Sequence, residues 1–91
     1  MFHNIVQVVP CEDYKVYVYF EDGKIVCYDM SRMINKEAFC VLKDINIFMD
    51  TCTVLNDTLA WDVKQNRDNT SCLDIDSDTL YELPNVKEPI A

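Results

Sequence analysis

The stretch Tyr14-Lys15-Val16-Tyr17-Val18-Tyr19-Phe20-Glu21-Asp22-Gly23-Lys24-Ile25-Val26-Cys27-Tyr28-Asp29-Met30 decides how this chain folds. β-branched and aromatic residues fill both arms, and such residues suit a pleated, half-buried surface. Between the arms, Asp22-Gly23 holds the only glycine in the chain. A two-residue type I′ turn needs positive φ at both central positions, which Asp and Gly tolerate best, and its twist matches the strands it joins. The stretch therefore predicts a β-hairpin. With Asp22 and Gly23 as the loop, Phe20 faces Ile25, Tyr19 faces Val26, Val18 faces Cys27 and Tyr17 faces Tyr28. One face then carries Val18, Phe20, Ile25 and Cys27, and the other Tyr17, Tyr19, Val26 and Tyr28. Glu21 opposite Lys24 adds a small cross-strand charge pair.

Upstream, Ile5-Val6-Gln7-Val8-Val9 reads as a strand stopped by Pro10, and Cys11-Glu12-Asp13 links it to the hairpin. Downstream, Asn35 is placed to cap a helix over residues 36–43, with Ile34 and Phe39 as a hydrophobic staple and Asp44 as its end. Phe39 and Leu42 would lay that helix on the sheet. A second hairpin comes next: Thr51-Cys52-Thr53-Val54-Leu55 and Thr58-Leu59-Ala60-Trp61-Asp62 flank Asn56-Asp57, two residues that tolerate left-handed φ. This pairing sets Val54 opposite Leu59 and Cys52 opposite Trp61 on one face. Thr51, Thr53, Thr58 and Asp62 fall on the other, so one side is expected to pack and the other to meet water. Residues 64–71 are wholly polar and read as a loop. Cys72-Leu73-Asp74-Ile75 forms a short strand, and a last helical turn starts at Asp76 or Ser77, or at Thr79 with Glu82 as a capping box, and runs through Leu80-Tyr81. Residues 1–83 are expected to form a single α+β domain, a small mostly antiparallel sheet with one main helix packed on it. Pro84 and Pro89 mark residues 84–91 as a loose tail.

Ninety-one residues suffice for one modest core. Eight Lys+Arg against sixteen Asp+Glu give a net charge of −8, which repels phosphate backbones and disfavours direct nucleic-acid binding. The same charge could favour a basic partner or serve only solubility. The five cysteines are odd in number and lack C-x-x-C spacing, so they read as small buried hydrophobes in a reducing cytoplasm. No stretch reads as a signal peptide or a membrane span.

The inventory for chemistry is thin. One glycine leaves no phosphate-cradling loop, and the lone His3 lies near a terminus expected to fray, as a surface residue. Asp74-x-Asp76-x-Asp78 opens like a calcium loop but lacks its glycine and distal glutamate, so strand and helix-start roles suit these residues better. No cofactor, metal or catalytic residue is assigned. Two candidate regions stand out. Tyr17, Tyr19, Val26 and Tyr28 form an aromatic hairpin face suited to an interface, or else one packed beneath the rest of the chain. Asp62, Asn66, Arg67 and Asp68 could build a carboxylate–guanidinium ligand site, or Arg67 could anchor its own loop.

The pieces Phe20-Glu21-Asp22-Gly23-Lys24, Tyr28-Asp29-Met30, Phe39-Cys40-Val41-Leu42-Lys43-Asp44, Phe48, Thr58-Leu59-Ala60-Trp61-Asp62 and Leu80-Tyr81-Glu82 occur in one order and spacing. Together they resemble the small bacterial family called domain of unknown function 2442. Asn66-Arg67-Asp68 followed by Cys72-Leu73-Asp74-Ile75-Asp76 is similar to one subgroup of it. Ser31-Arg32-Met33 departs from the family, where many members have a proline. The resemblance implies an α+β fold with a small antiparallel sheet and no established activity. It also implies frequent gene adjacency to another small family, domain of unknown function 4160, in an arrangement suggestive of toxin–antitoxin pairs. Some relatives carry a helix-turn-helix domain, for which this chain is expected to be too short.

The resulting expectation is a non-enzymatic, acidic, cytoplasmic protein-interaction module, antitoxin-like toward an adjacently encoded protein. The alternative is a small-ligand or enzyme-accessory domain using residues 66–76. Homo-oligomerisation through an open sheet edge or the tyrosine face is a third reading.

Overall fold

Two three-stranded antiparallel sheets and two short helices are found in the computed structural model, which describes residues 3–55, 57–64 and 73–87. The first sheet runs β1 (Ile5–Pro10), β2 (Lys15–Phe20), β3 (Ile25–Asp29) in that spatial order. Two 3-10 segments, Met33–Asn35 and Glu37–Lys43, lead to α1 (Ile45–Thr51). The second sheet is β4 (Cys52–Leu55), β5 (Thr58–Trp61), β6 (Leu73–Ile75), and α2 (Ser77–Tyr81) comes after it. The α+β class expected from the sequence holds; the single expected sheet is divided in two.

Both links in the first sheet are three-residue loops of one design. Between β2 and β3, the Phe20 N–H donates to the Lys24 carbonyl at 2.9 Å and the Gly23 N–H to the Phe20 carbonyl at 3.0 Å. Of the loop residues only Gly23 takes positive φ, at +95°. Between β1 and β2, the Cys11 N–H donates to the Lys15 carbonyl at 2.8 Å and the Tyr14 N–H to the Cys11 carbonyl at 3.1 Å, with Tyr14 at φ +66°. This is a turn closed by a left-handed residue, the usual three-residue hairpin loop.

The extra loop residue corrects the expected β2–β3 register by one. Tyr19 pairs with Ile25, Val18 with Val26, Tyr17 with Cys27 and Val16 with Tyr28. A one-residue slip moves side chains to the opposite face. The buried face accordingly holds Val16, Val18, Phe20 and Val26, while Tyr17, Tyr19, Ile25 and Cys27 face outward. In β1 the register shifts between Ile5 and Gln7, leaving Val6 59% exposed and Ile5 in the core. The Ile5 N–H donates to the Asp57 carbonyl at 3.2 Å and ties the first sheet to the turn of the second.

The expected helix over residues 36–43 is replaced by the 3-10 segment, and Asn35 does not cap it. Phe39, Cys40 and Val41 are weak helix formers, whereas Asp44 is a strong cap for the segment after it. Its Oδ1 accepts the Asn46 N–H at 3.0 Å and starts α1. Ile34, Leu42 and Phe48 reach the core from this connection, where Phe48 and Trp61 lie 5.6 Å apart between ring centroids.

The second hairpin pairs as expected, with Cys52 opposite Trp61 and Val54 opposite Leu59. Asp57 carries φ +61° in its turn, and Asn56 lies outside the described residues. The expectation that one face meets water is corrected. Leu55, Ala60 and Asp62 are buried beside Leu59 and Trp61, and β6 flanks β5 through Leu59–Ile75, Ala60–Asp74 and Trp61–Leu73. The Thr58 hydroxyl donates to the Ile75 carbonyl at 2.5 Å.

Of the expected tail, residues 84–87 are described. The Val86 N–H donates to the Ile25 carbonyl at 2.8 Å, and Asn85 Oδ1 accepts the Ile25 N–H at 3.0 Å, fastening the segment after α2 along β3. Residues 88–91 lie outside the described residues. The cysteines also differ from expectation: Cys11, Cys27 and Cys52 are half-buried free thiols and Cys40 is exposed.

Candidate interaction surface

Strand alternation and the β2–β3 register together build the outer face of the first sheet. Residues paired across strands share a face. Val9 opposes Tyr17, and Tyr17 opposes Cys27; Gln7 opposes Tyr19, and Tyr19 opposes Ile25. Val9, Tyr17, Tyr19, Ile25 and Cys27 are all half-buried. The partly buried apolar side chains packed against the core include Val8 and Tyr28 but none of these five. The outer face is thus a row of aliphatic and aromatic groups separate from the core. Exposed acids bound it at both ends: Glu12, Asp13 and Asp29 at one, Glu21 and Asp22 at the other. Lys15 stands among the first set, 3.7 Å from Asp13.

The aromatic face expected from the sequence is therefore divided. Tyr17 and Tyr19 lie on the outer surface, but Val26 is fully buried and Tyr28 packs inward, where burial lifts its phenol above the ordinary tyrosine range. Ile25 and Cys27 join the two outer tyrosines, an association that a two-residue β2–β3 loop would not produce, and Val9 lies beside Tyr17 from β1. Burial also raises the Cys27 thiol, with Lys15 opposing the shift.

At the hairpin tip, a second group assembles from three distant parts of the chain. The Tyr81 hydroxyl donates to Asp22 Oδ2, and the Lys24 ammonium donates to the Tyr81 carbonyl while standing 4.4 Å from the centre of its ring. His3 stacks on Tyr81 at 3.8 Å and 7°, and Phe20 meets the same ring edge-on at 4.9 Å. His3 is thus held against Tyr81, not frayed as expected. The bond from Tyr81, with the Lys24 N–H, holds the Asp22 carboxyl below its ordinary range, and the same contact raises the Tyr81 phenol. A phenol shifted upward is kept neutral, the opposite of an activated nucleophile. This arrangement is a clasp between hairpin, α2 and N-terminal segment. Asp22, Lys24 and Tyr81 all belong to the family-like pieces of the sequence, and that co-occurrence was the available signal.

The other candidate region is only partly in view. Asp62 is 8% exposed, and its N–H donates to the Thr51 carbonyl at 2.9 Å. Asn66, Arg67 and Asp68 lie outside the described residues. Asp74 stands on β6, Asp76 precedes α2 and takes the Thr79 hydroxyl at 3.3 Å, and Asp78 is in the first turn of α2. Among the described residues, no three of His, Cys, Asp and Glu are grouped to hold a metal ion. No helix among them is long and apolar enough to cross a membrane.

A family described as Protein of unknown function (DUF2442) matches residues 5–84. The chain belongs to this family. The DUF2442 match spans both sheets and α2, so it includes the outer face and, except for His3, the clasp. No curated protein and no solved structure matches the chain.

Proposed function

We propose that this chain acts by binding another protein, as a non-enzymatic module in the bacterial cytoplasm, and that its contact surface is the outer face of the first sheet. The observation that carries this reading is the row of Val9, Tyr17, Tyr19, Ile25 and Cys27, an apolar face additional to the one that fills the core. Tyrosines give large contact area with a polar tip, and contiguous apolar surface marks association sites. The acidic ends of the face and the net charge of −8 favour a partner with a basic rim. The partner proposed is a small protein encoded beside this one, to which this chain stands as the antitoxin-like member.

Co-expression with the neighbouring gene product, followed by size exclusion, tests the proposal. Co-elution of the wild-type chain, lost on Tyr17→Lys with an unchanged unfolding midpoint, supports it. Separate elution of the wild-type proteins, or co-elution indifferent to Tyr17→Lys, overturns it.

A further inference from the structure

The edge of β3 adjoins the outer face and already holds the segment after α2. In the β2–β3 ladder the Phe20 N–H bonds the Lys24 carbonyl, and inward-facing pairs alternate from there. The N–H and carbonyl groups of Ile25 and Cys27 therefore point away from β2, out of the sheet. At Ile25 both are engaged by the segment after α2: Val86 donates its N–H to the carbonyl at 2.8 Å, and Asn85 Oδ1 accepts the N–H at 3.0 Å. This is half of a strand pairing. An antiparallel neighbouring strand supplies both groups from one residue's backbone, whereas here a side-chain amide replaces one of them. Among the described residues, no backbone bond from this segment extends to Cys27.

We propose that the β3 edge accepts an extended segment of a partner protein as a fourth strand, and that Asn85 and Val86 occupy this edge in cis as a displaceable placeholder. The proposal rests on the reading of the first sheet as a contact surface; it adds how the partner engages and what regulates access. A continuous strand makes paired backbone bonds at Ile25 and again at Cys27, exceeding what the placeholder makes. Its alternate side chains lie over Ile25 and Cys27, with Tyr19 and Tyr17 on the next strand, so β-branched or aromatic residues fit there. The acids at both ends, Asp29 on one side and Glu21 with Asp22 on the other, suit lysine or arginine at the segment's flanks. Strand addition supplies affinity through the main chain and selectivity through these alternate side chains.

The test uses the full chain, isotope-labelled, and a synthetic peptide of alternating valine and threonine ended by lysines. The variant N85A with V86P removes the acceptor and the donor that fill the edge, since proline has no N–H. Peptide is expected to move the Ile25 and Cys27 amide resonances and to slow hydrogen exchange at Cys27. Binding should be about tenfold tighter to the variant than to the wild-type chain, the factor set by two modest hydrogen bonds no longer displaced. A control peptide with proline at alternate positions should not bind. Equal affinity for both chains overturns the proposal, as do unmoved Ile25 and Cys27 amides. Self-association of the variant without peptide, seen by light scattering, assigns the edge to a second copy and overturns it as well. Shifts confined to Tyr17 and Val9 remove the edge mechanism while leaving the contact face intact. Should the double variant not fold, N85A alone is compared with wild type by the same criteria.

Discussion

Gly23 has φ +95° and nothing within 4 Å of where a Cβ would stand. An alanine there meets no neighbour but must adopt a left-handed backbone, at a cost of about 1–2 kcal/mol. Gly23→Ala is therefore expected to lower the unfolding free energy by that amount, seen as a lower denaturant midpoint with no change in slope. The Tyr81–Asp22 contact gives a second prediction at this scale. Asp22 has a lowered folded pKa, so its contribution is present above the ordinary carboxylate value of about 3.9 and is lost as pH falls through the folded value. Tyr81 has a raised folded pKa, so its contribution is present below the ordinary phenol value of about 10 and is lost as pH rises through the folded value. Tyr81→Phe should lower the melting temperature at pH 7, with the gap from wild type closing in strong acid and in strong base. A constant gap across pH would show that the hydroxyl bond contributes nothing.

At the scale of elements, loop length decides which residues are inside. Both arms of the first hairpin are apolar on both faces, so hydrophobic alternation alone does not select a register. Asp22-Gly23 marks the turn correctly, but the loop holds one left-handed residue and not two, and that single position brings Val26 inside with Val18 and turns Ile25 and Cys27 outward with Tyr17 and Tyr19. Tyr14 takes the matching left-handed position in the preceding loop without being glycine. Its hydroxyl donates to the Lys43 carbonyl, and its ring meets Phe48 edge-on at 5.3 Å, long-range contacts that local sequence does not announce. The second hairpin was legible in full register because Asn56-Asp57 marks a two-residue turn, and that loop length alone sets Leu55 opposite Thr58 and every pair beyond it. α1 was not legible: Ile, Asn, Phe and Thr carry little helix propensity, and the helix exists through its Asp44 cap and the burial of Phe48. Asp44→Ala should cost about 1 kcal/mol, and Phe48→Ala about 3–5 kcal/mol. In a domain whose total stability is of order 5–15 kcal/mol, the second change should leave a substantial unfolded population in mild denaturant, visible by near-ultraviolet circular dichroism.

For the whole molecule, the candidate surface was legible in part. Tyr17 and Tyr19 stand out by composition, while Ile25, Cys27 and Val9 become visible only once the strands are in register. The clasp was hidden because Lys24 and Asp22 reach Tyr81 across 57 and 59 positions of chain. The overall charge of −8 sets a measurable property of the proposed complex. Attraction to a basic partner raises the association rate and is screened over about 10 Å at 0.1 M salt. Stopped-flow measurements should give an association rate that falls steeply with added salt and a dissociation rate that changes little. A rate insensitive to salt would mean that the acidic ends of the face take no part.

The four described thiols differ in how water reaches them. Cys40 is exposed on the 3-10 segment, burial raises Cys11 and Cys27, and burial pushes Cys52 up to about 12. Alkylation requires the thiolate, so among these four a maleimide at neutral pH should mark Cys40 first and Cys52 last, as peptide mass mapping over a time course would record. Cys40 thereby offers a native attachment point for a dye or spin label on a segment outside both sheets, from which distances to an incoming partner can be read without engineering a new cysteine.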